Sequence, residues 1–343
     1  MIFKPASAKP FGILMILITG GGGNIGQYVV AELASSRENK IRLFLRSKLA
    51  YPAPPGVELF YGDLSNEQDI KTALMGVDTV VHVAGLVAFH VSKRVLFAAN
   101  VEATERLARC AAAAGVKEFI HTSSIAVYGK GIDGKVVDST FPANPDTLYG
   151  LSKLASEQAL GHYSGRMHIT ILRLGVVYGE GIMEGYSKML TYLQQGKMRI
   201  IGNGDNHIPF VYAKDAARAY SLALDPHYQY ASGTAFNIIG DELTQKEIFE
   251  IASGCLGVKP PQSRVSKHLA LFLARFKVAL AYFHAGSLKS ASDSLEMLKI
   301  MSADRQINYR WAQKYLGWGP KTSLAQGITL TVAKFKKGEM GEK

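Results

Sequence analysis

The chain has 343 residues, 48% hydrophobic and 20% charged, which excludes a disordered polymer and is long enough for an elaborated α/β domain or two joined pieces. Its net charge of +11 is unevenly spread: residues 259–343 hold 15 Lys and Arg against 5 Asp and Glu, the remainder 24 against 23. That basic quarter has no nucleic-acid motif and no aromatic–basic alternation, so nucleic acid is excluded as a partner and an anionic substrate or lipid surface fits better.

Residues 1–11 read as a disordered lead-in. Residues 12–19 form a short, continuously apolar run, as expected of a strand buried on both faces of a parallel sheet. The run opens into Gly20-Gly21-Gly22-Gly23-Asn24-Ile25-Gly26, followed by a helical stretch over 27–35. Glycines at 20, 23 and 26 suit a tight turn, a close backbone approach to a pyrophosphate, and close packing of helix on strand. Because the loop is framed by a strand and a helix, it reads as a dinucleotide site rather than a flexible linker.

A second strand over 41–45 ends at Arg46, twenty residues after Gly26. An acidic residue there would bind the ribose 2′-OH of NAD, whereas Arg46, Ser47 and Lys48 suit a 2′-phosphate. NADP(H) is therefore the favoured cofactor and NAD(H) the alternative. The third strand, 57–61, runs into Gly62-Asp63-Leu64, with Asp63 placed for the adenine edge. The fourth, 78–83, ends at Val83-Ala84-Gly85, small enough for backbone contact with a cofactor. A helix over 96–114 carries Asn100 near its start. The fifth strand, 117–122, empties into Ser123-Ser124. Alternating strands and helices specify a Rossmann-type doubly wound parallel sheet, whose ligands bind beyond the carboxyl ends of the strands.

Pro145-Asp146-Thr147 signals the start of the next helix, in which Tyr149 and Lys153 stand four residues apart on one face. A cation held near a phenol favours the phenolate, making a proton donor and acceptor usable near neutrality. His82 and His121 fall at strand positions and read as core residues. The histidines do not cluster with Cys, Asp or Glu at ligand spacings, so no metal is expected. Cys110 and Cys255 form no redox spacing, as in a reduced cytoplasmic protein.

These motifs, in this order, resemble the extended branch of the short-chain dehydrogenase/reductase superfamily, the NAD-dependent epimerase/dehydratase group. The resemblance continues through Leu172-Arg173-Leu174-Gly175 to Tyr178-Gly179, Phe210-Val211-Tyr212-Ala213-Lys214-Asp215 and Leu316-Gly317-Trp318-Gly319-Pro320, and covers residues 15–332. It implies that Tyr149 is the acid/base, that Lys153 lowers its pKa and binds the nicotinamide ribose, and that Ser124 bonds the substrate oxygen, with Ser123 its rival. It gives Asn100 a structural or proton-relay role. The glycine loop with Asn24 and Ile25, Arg46, Asp63, Leu64, Val83, Ala84 and Gly85 would line the cofactor. Asn206-His207-Ile208-Pro209 has no Arg before Phe210, where sugar-nucleotide enzymes of the group grip a diphosphate. The chain is closer to the 3β-hydroxysteroid dehydrogenase/dihydroflavonol reductase side. The expected reaction is hydride transfer on a secondary alcohol or ketone of a lipophilic substrate. A nucleotide-sugar epimerase or dehydratase with tightly held NAD is the second reading, and a catalytically silent cofactor-binding protein the third.

By the same resemblance, 12–180 with 202–240 forms the nucleotide-binding domain, 181–201 and 241–336 the smaller, mostly helical substrate lobe, and 337–343 a tail. A helix is expected over 244–255. Residues 264–286 read as an amphipathic helix that either covers the pocket or a subunit contact, or lies on a membrane surface. A homodimer is a further expectation from the resemblance.

Overall fold

The computed structural model describes residues 14–36, 38–88, 91–130, 132, 134–182, 186–282 and 288–336. Seven strands form one fully parallel sheet: β1 (Leu14–Thr19), β2 (Asn39–Leu45), β3 (Glu58–Tyr61), β4 (Thr79–His82), β5 (Glu118–Ser124), β6 (His168–Leu174) and β7 (Thr234–Ile238). Their order is β7-β6-β5-β4-β1-β2-β3, so the direction of winding reverses between β1 and β4. Parallel pairing puts every strand's carboxyl end on one edge of the sheet, and the reversal opens a crevice there.

Burial follows from two-sided packing. Ile16 and Ile18 face one layer with Val29, Val30 and Leu33 of helix α1 (Gly26–Ala34). Leu17, between them, faces the other with Ile70, Leu107 and Phe119. Strand β4 is buried throughout, whereas the edge strand β3 is largely exposed. This is the alternation that side chains on opposite faces of a strand require. The expected lead-in (1–11) and tail (337–343) lie outside the described residues.

The predicted 96–114 helix is longer and interrupted. It runs as α-helix over Lys93–Phe97, as π-helix over Ala98–Glu102, and as α-helix again over Ala103–Ala113. Helix α2 (Leu148–Gly161) carries Tyr149 and Lys153, and helix α3 (Ala213–Leu224) packs beside α1.

Away from the main sheet, Val176–Tyr178, His207–Tyr212 and Glu242–Thr244 form a three-stranded sheet. Helices Gln245–Leu256 and Leu324–Lys336 pack around it, sharing a core of Phe210, Ile248, Phe249 and Ile328. The helix predicted over 244–255 begins with a reciprocal Thr244/Glu247 capping box and ends at left-handed Gly257.

The stretch 264–286 begins with a two-residue strand, Arg264–Val265, and continues as helix α4 (Lys267–Tyr282); 283–286 lie outside the described residues. Helix α4 packs against α5 (Leu288–Ser302). Among the described residues no helix is long and apolar enough to cross a membrane.

Candidate active site

Beyond the carboxyl edge of the sheet lies one continuous cleft of about 2780 Å³. Gly20, Gly23, Asn24 and Ile25 line it from the turn after β1, Arg46 from the end of β2, and Asp63 and Leu64 from the end of β3. Val83, Ala84 and Gly85 line it after β4, Ser124 at the end of β5, and Tyr149 and Lys153 from α2. The structure thus brings all the sequence-predicted site residues to the cleft except two, Gly26 and Asn100, which lie behind its wall.

Gly26 starts α1 directly over the turn: a Cβ there would lie 2.0 Å from the Gly20 carbonyl oxygen. Only a residue without a side chain lets the helix N-terminus come so close. The Gly23 N–H bonds the Gly20 carbonyl at 3.0 Å and closes the turn. Asn100, buried in the π-helical segment, accepts from the Leu86 N–H at 2.7 Å and donates to the Leu86 carbonyl at 3.0 Å and to Ser152 Oγ at 2.9 Å. It therefore fastens the loop after β4 to the helix that carries Tyr149. The extra residue of a π-turn re-aims a side chain within an otherwise regular helix.

Helix α2 begins at Thr147, whose hydroxyl accepts from the Gly150 N–H at 3.0 Å. Gly150 packs against the turn that follows Ser124, where a Cβ would come within 2.4 Å of the Ala126 carbonyl oxygen. This close approach lets half-buried Tyr149 hydrogen-bond the Ser124 hydroxyl.

The two serines have separate tasks. Ser123 is buried and donates to Glu157 Oε1 at 2.5 Å. Glu157 is in turn gripped by Arg173, Nη2 to Oε2 at 2.7 Å and Nε to Oε1 at 3.0 Å, and Arg173 also donates to the Tyr128 hydroxyl at 2.8 Å. Ser123 is consumed by this buried network, which leaves Ser124 as the hydroxyl facing Tyr149.

The Lys153 ammonium is buried and donates to the Thr122 carbonyl at 2.8 Å. Burial pulls its pKa down to about 8, with the Glu157 carboxylate partly offsetting the effect. Tyr149 departs from expectation. Burial pushes its phenol up to about 12, and the Ser124 hydrogen bond only partly opposes this. The expected lowering by Lys153 is not seen, because desolvation of the phenolate outweighs any attraction to an ammonium already engaged by Thr122. At neutral pH Tyr149 is a protonated donor.

On the opposite flank, Arg46 is exposed and Asp63 accepts from the Ser65 N–H at 2.7 Å; this bond holds the carboxyl below its usual range, with Arg46 and Arg106 adding to the effect. His82 and His121 are core residues. His82 links Thr19 Oγ1 (2.6 Å) to Thr104 Oγ1 (2.8 Å), and burial holds its pKa down at about 3. Sequence reasoning missed Lys130, Asp146 and Arg305, which also line the cleft. No motif marks them for the cleft, Asp146 being legible only as part of a helix start, and only the folded arrangement assembles them.

The profile of the NAD dependent epimerase/dehydratase family matches residues 16–238, and the chain belongs to that family as an NAD(P)-dependent oxidoreductase. It is 27% identical over 331 residues to the sterol-4-alpha-carboxylate 3-dehydrogenase, decarboxylating, of Mus musculus, covering 93% of this chain and 90% of that one. It is 28% identical over 271 residues to a 3-beta-hydroxysteroid dehydrogenase of Mycolicibacterium neoaurum, covering 74% and 73%. The crystal structure of a UDP-glucose 4-epimerase from Thermotoga maritima superposes with a TM-score of 0.74 over 95% of this chain and all of that one, at 21% identity, and shares the fold.

The buried lysine predicts a pH signature. Its pKa of about 8 lies below the ordinary 10.5, so its burial cost is fully present below pH 8 and is relieved as pH rises through that interval. Chemical denaturation of wild type and Lys153→Met across this range should show wild type gaining stability relative to the variant as pH increases. A pH-independent difference would mean that the amine is not desolvated.

Proposed function

We propose that the protein transfers hydride between NADP(H) and a secondary alcohol or ketone on a lipophilic substrate, with Tyr149 as proton donor and acceptor. The observation that carries this is the Ser124–Tyr149 hydrogen bond on the wall of the cleft that also contains the glycine turn.

The residues fit a dinucleotide. Gly20 has φ +76°, and a Cβ there would lie 2.4 Å from the Ala84 nitrogen, so two strand ends meet as bare backbone. Helix α1 starts directly at the turn, and the positive end of its dipole there suits a pyrophosphate. Gly20, Gly23, Asn24 and Ile25 would hold that group, Asp63 and Leu64 the adenine end, and Val83, Ala84, Gly85 and Lys153 the nicotinamide end. When bound, the nicotinamide supplies the hydride chemistry.

The chain's own residues handle the proton. In the reducing direction Tyr149, protonated at neutral pH, donates to the carbonyl oxygen as it becomes a hydroxyl, while Ser124 holds that oxygen by a hydrogen bond. Oxidation reverses the transfer and requires the Tyr149 phenolate as proton acceptor. Asn100 and the Thr122–Lys153 bond keep the donors in place. The names of the sterol and hydroxysteroid relatives support a lipophilic substrate, and the absence of an Arg in 206–209 favours this over a sugar nucleotide.

Tyr149→Phe should lower turnover by about 10²–10⁴-fold and leave NADP(H) binding unchanged by fluorescence titration; near-normal turnover would remove Tyr149 from the mechanism. Arg46 is assigned to the 2′-phosphate of NADP(H). Arg46→Ala should weaken NADP(H) binding by about tenfold or more, the scale of a hydrogen bond to a charged group, while NAD(H) affinity stays the same. Equal losses for both cofactors would overturn that assignment.

The same reading extends to an anionic lipid surface. Helix α4 has two faces: Ala270, Leu273, Ala274 and Lys277 line the cleft, whereas Leu269, Phe272 and Phe276 do not and are at least half exposed. Exposed Arg275 adjoins the apolar outer face, within the quarter of the chain that carries almost all the positive excess. An apolar ridge beside a cation suits an interface of acyl chains under anionic headgroups. Wild type should cosediment with vesicles of phosphatidylglycerol and phosphatidylcholine, and a Phe272→Ser, Phe276→Ser, Arg275→Glu triple variant should not. Failure of wild type to cosediment, with or without self-association, would rule out the lipid surface.

A further inference from the structure

One cation in the cleft has no work in the proton chemistry. Arg305 is only 5% exposed, yet it lines the cleft, and its buried Nε and Nη2 have no hydrogen-bond partner. Buried donors are nearly always satisfied, and a buried charge without a partner is among the costliest features a fold can carry.

The surroundings explain why nothing in the chain meets it. Its backbone is fixed on both sides: its own N–H donates to the His207 carbonyl at 3.1 Å, and the next two residues, Gln306 and Ile307, pair with Val136 and Val137. Neighbouring Asp304 turns away, accepting from His207 through both the backbone N–H at 2.8 Å and Nδ1 at 2.9 Å. Asp146 acts on the guanidinium only through its field and is paired with Lys130 at 3.1 Å. Glu296, which also lines the cleft, is paired with Lys299 through Oε1 only, and its buried Oε2 makes no hydrogen bond to Arg305. Burial pulls the Arg305 pKa down to about 10, still well above neutrality, so the group stays charged.

The free pair of donors has a definite shape. Nε–H and one Nη2–H lie side by side along one edge of the guanidinium and match the two oxygens of a carboxylate. We propose that Arg305 binds a carboxylate of the substrate, so that the substrate is a hydroxy or keto acid whose carbon framework lies between Arg305 and the Ser124–Tyr149 pair. The Met297, Leu298 and Met301 side chains of α5 line the same cleft and suit an apolar framework. This deepens the oxidoreductase reading and rests on it for the position of the hydroxyl, though not for the anion site.

A series of lipophilic hydroxy fatty acids, their methyl esters and the corresponding alkyl phosphates, titrated into NADP(H)-loaded protein, tests it. The wild type should bind at least one acid about tenfold or more tightly than its ester, the scale of one charge-assisted hydrogen bond. Arg305→Met should abolish that preference with cofactor affinity unchanged, and Arg305→Lys, which keeps the charge but loses the fork, should restore part of it. Ligand-free Arg305→Met should melt no lower than wild type, since it removes an unpaired buried charge. Equal binding of acids and esters by wild type, or binding of alkyl phosphates in preference to acids, would overturn the carboxylate assignment. Arg305-dependent acid binding without turnover of any member of the series would sustain the anion site and count against the oxidoreductase reading. Ester turnover equal to that of the acid would do the reverse.

Discussion

The bond from the Lys153 ammonium to the Thr122 carbonyl holds the cleft wall around Ser124 and Tyr149 together. It joins helix α2 to the end of β5 and so sets Tyr149 against Ser124. The ammonium is buried to make it, and burial pulls its pKa down. Asn100 adds a second tie two atoms deep, joining the loop after β4 to Ser152 on the same helix. Strand ends that belong to separate stretches of chain are thereby held as one rigid edge, which is what a reaction with a sub-ångström tolerance demands.

Behind that edge, polar groups are satisfied by one another. The Glu157–Arg173 pair is bidentate and buried, and it draws in Ser123 and Tyr128; the Tyr128 hydroxyl in turn donates to Asn237 on β7 at 2.8 Å. A network this complete offsets the desolvation of its charges, which an isolated pair would not. It braces β5, α2, β6 and β7 directly beneath the cleft. Ser124, one residue along from Ser123, is left outside it and lines the cleft beside Tyr149.

The far wall of the cleft is built differently. Helices α4 and α5 contribute small and flexible apolar residues, and α4 is exposed over much of its length. Rigid polar bracing on one side and an adaptable apolar wall on the other separate the chemistry, which the family shares, from substrate choice, which a fold does not determine. Arg305 belongs to neither wall's packing: it is a charge retained in a place where the chain alone does not complete it.

Features that depend on neighbours in sequence were legible without coordinates. Gly20, Gly23 and Gly26 mark a turn and a helix start because those demands are local, and Tyr149 and Lys153 share a face because of the pitch of a helix. Alternating strands and helices were enough for the doubly wound sheet. The choice of Ser124 over Ser123 became physical only when Glu157 and Arg173 were seen to occupy Ser123. The upward shift of the Tyr149 phenol and the unmet donors of Arg305 were out of reach of any spacing rule. Both arise from the removal of water by segments far apart in the chain, and desolvation depends on what surrounds a group in three dimensions rather than on what precedes it in sequence.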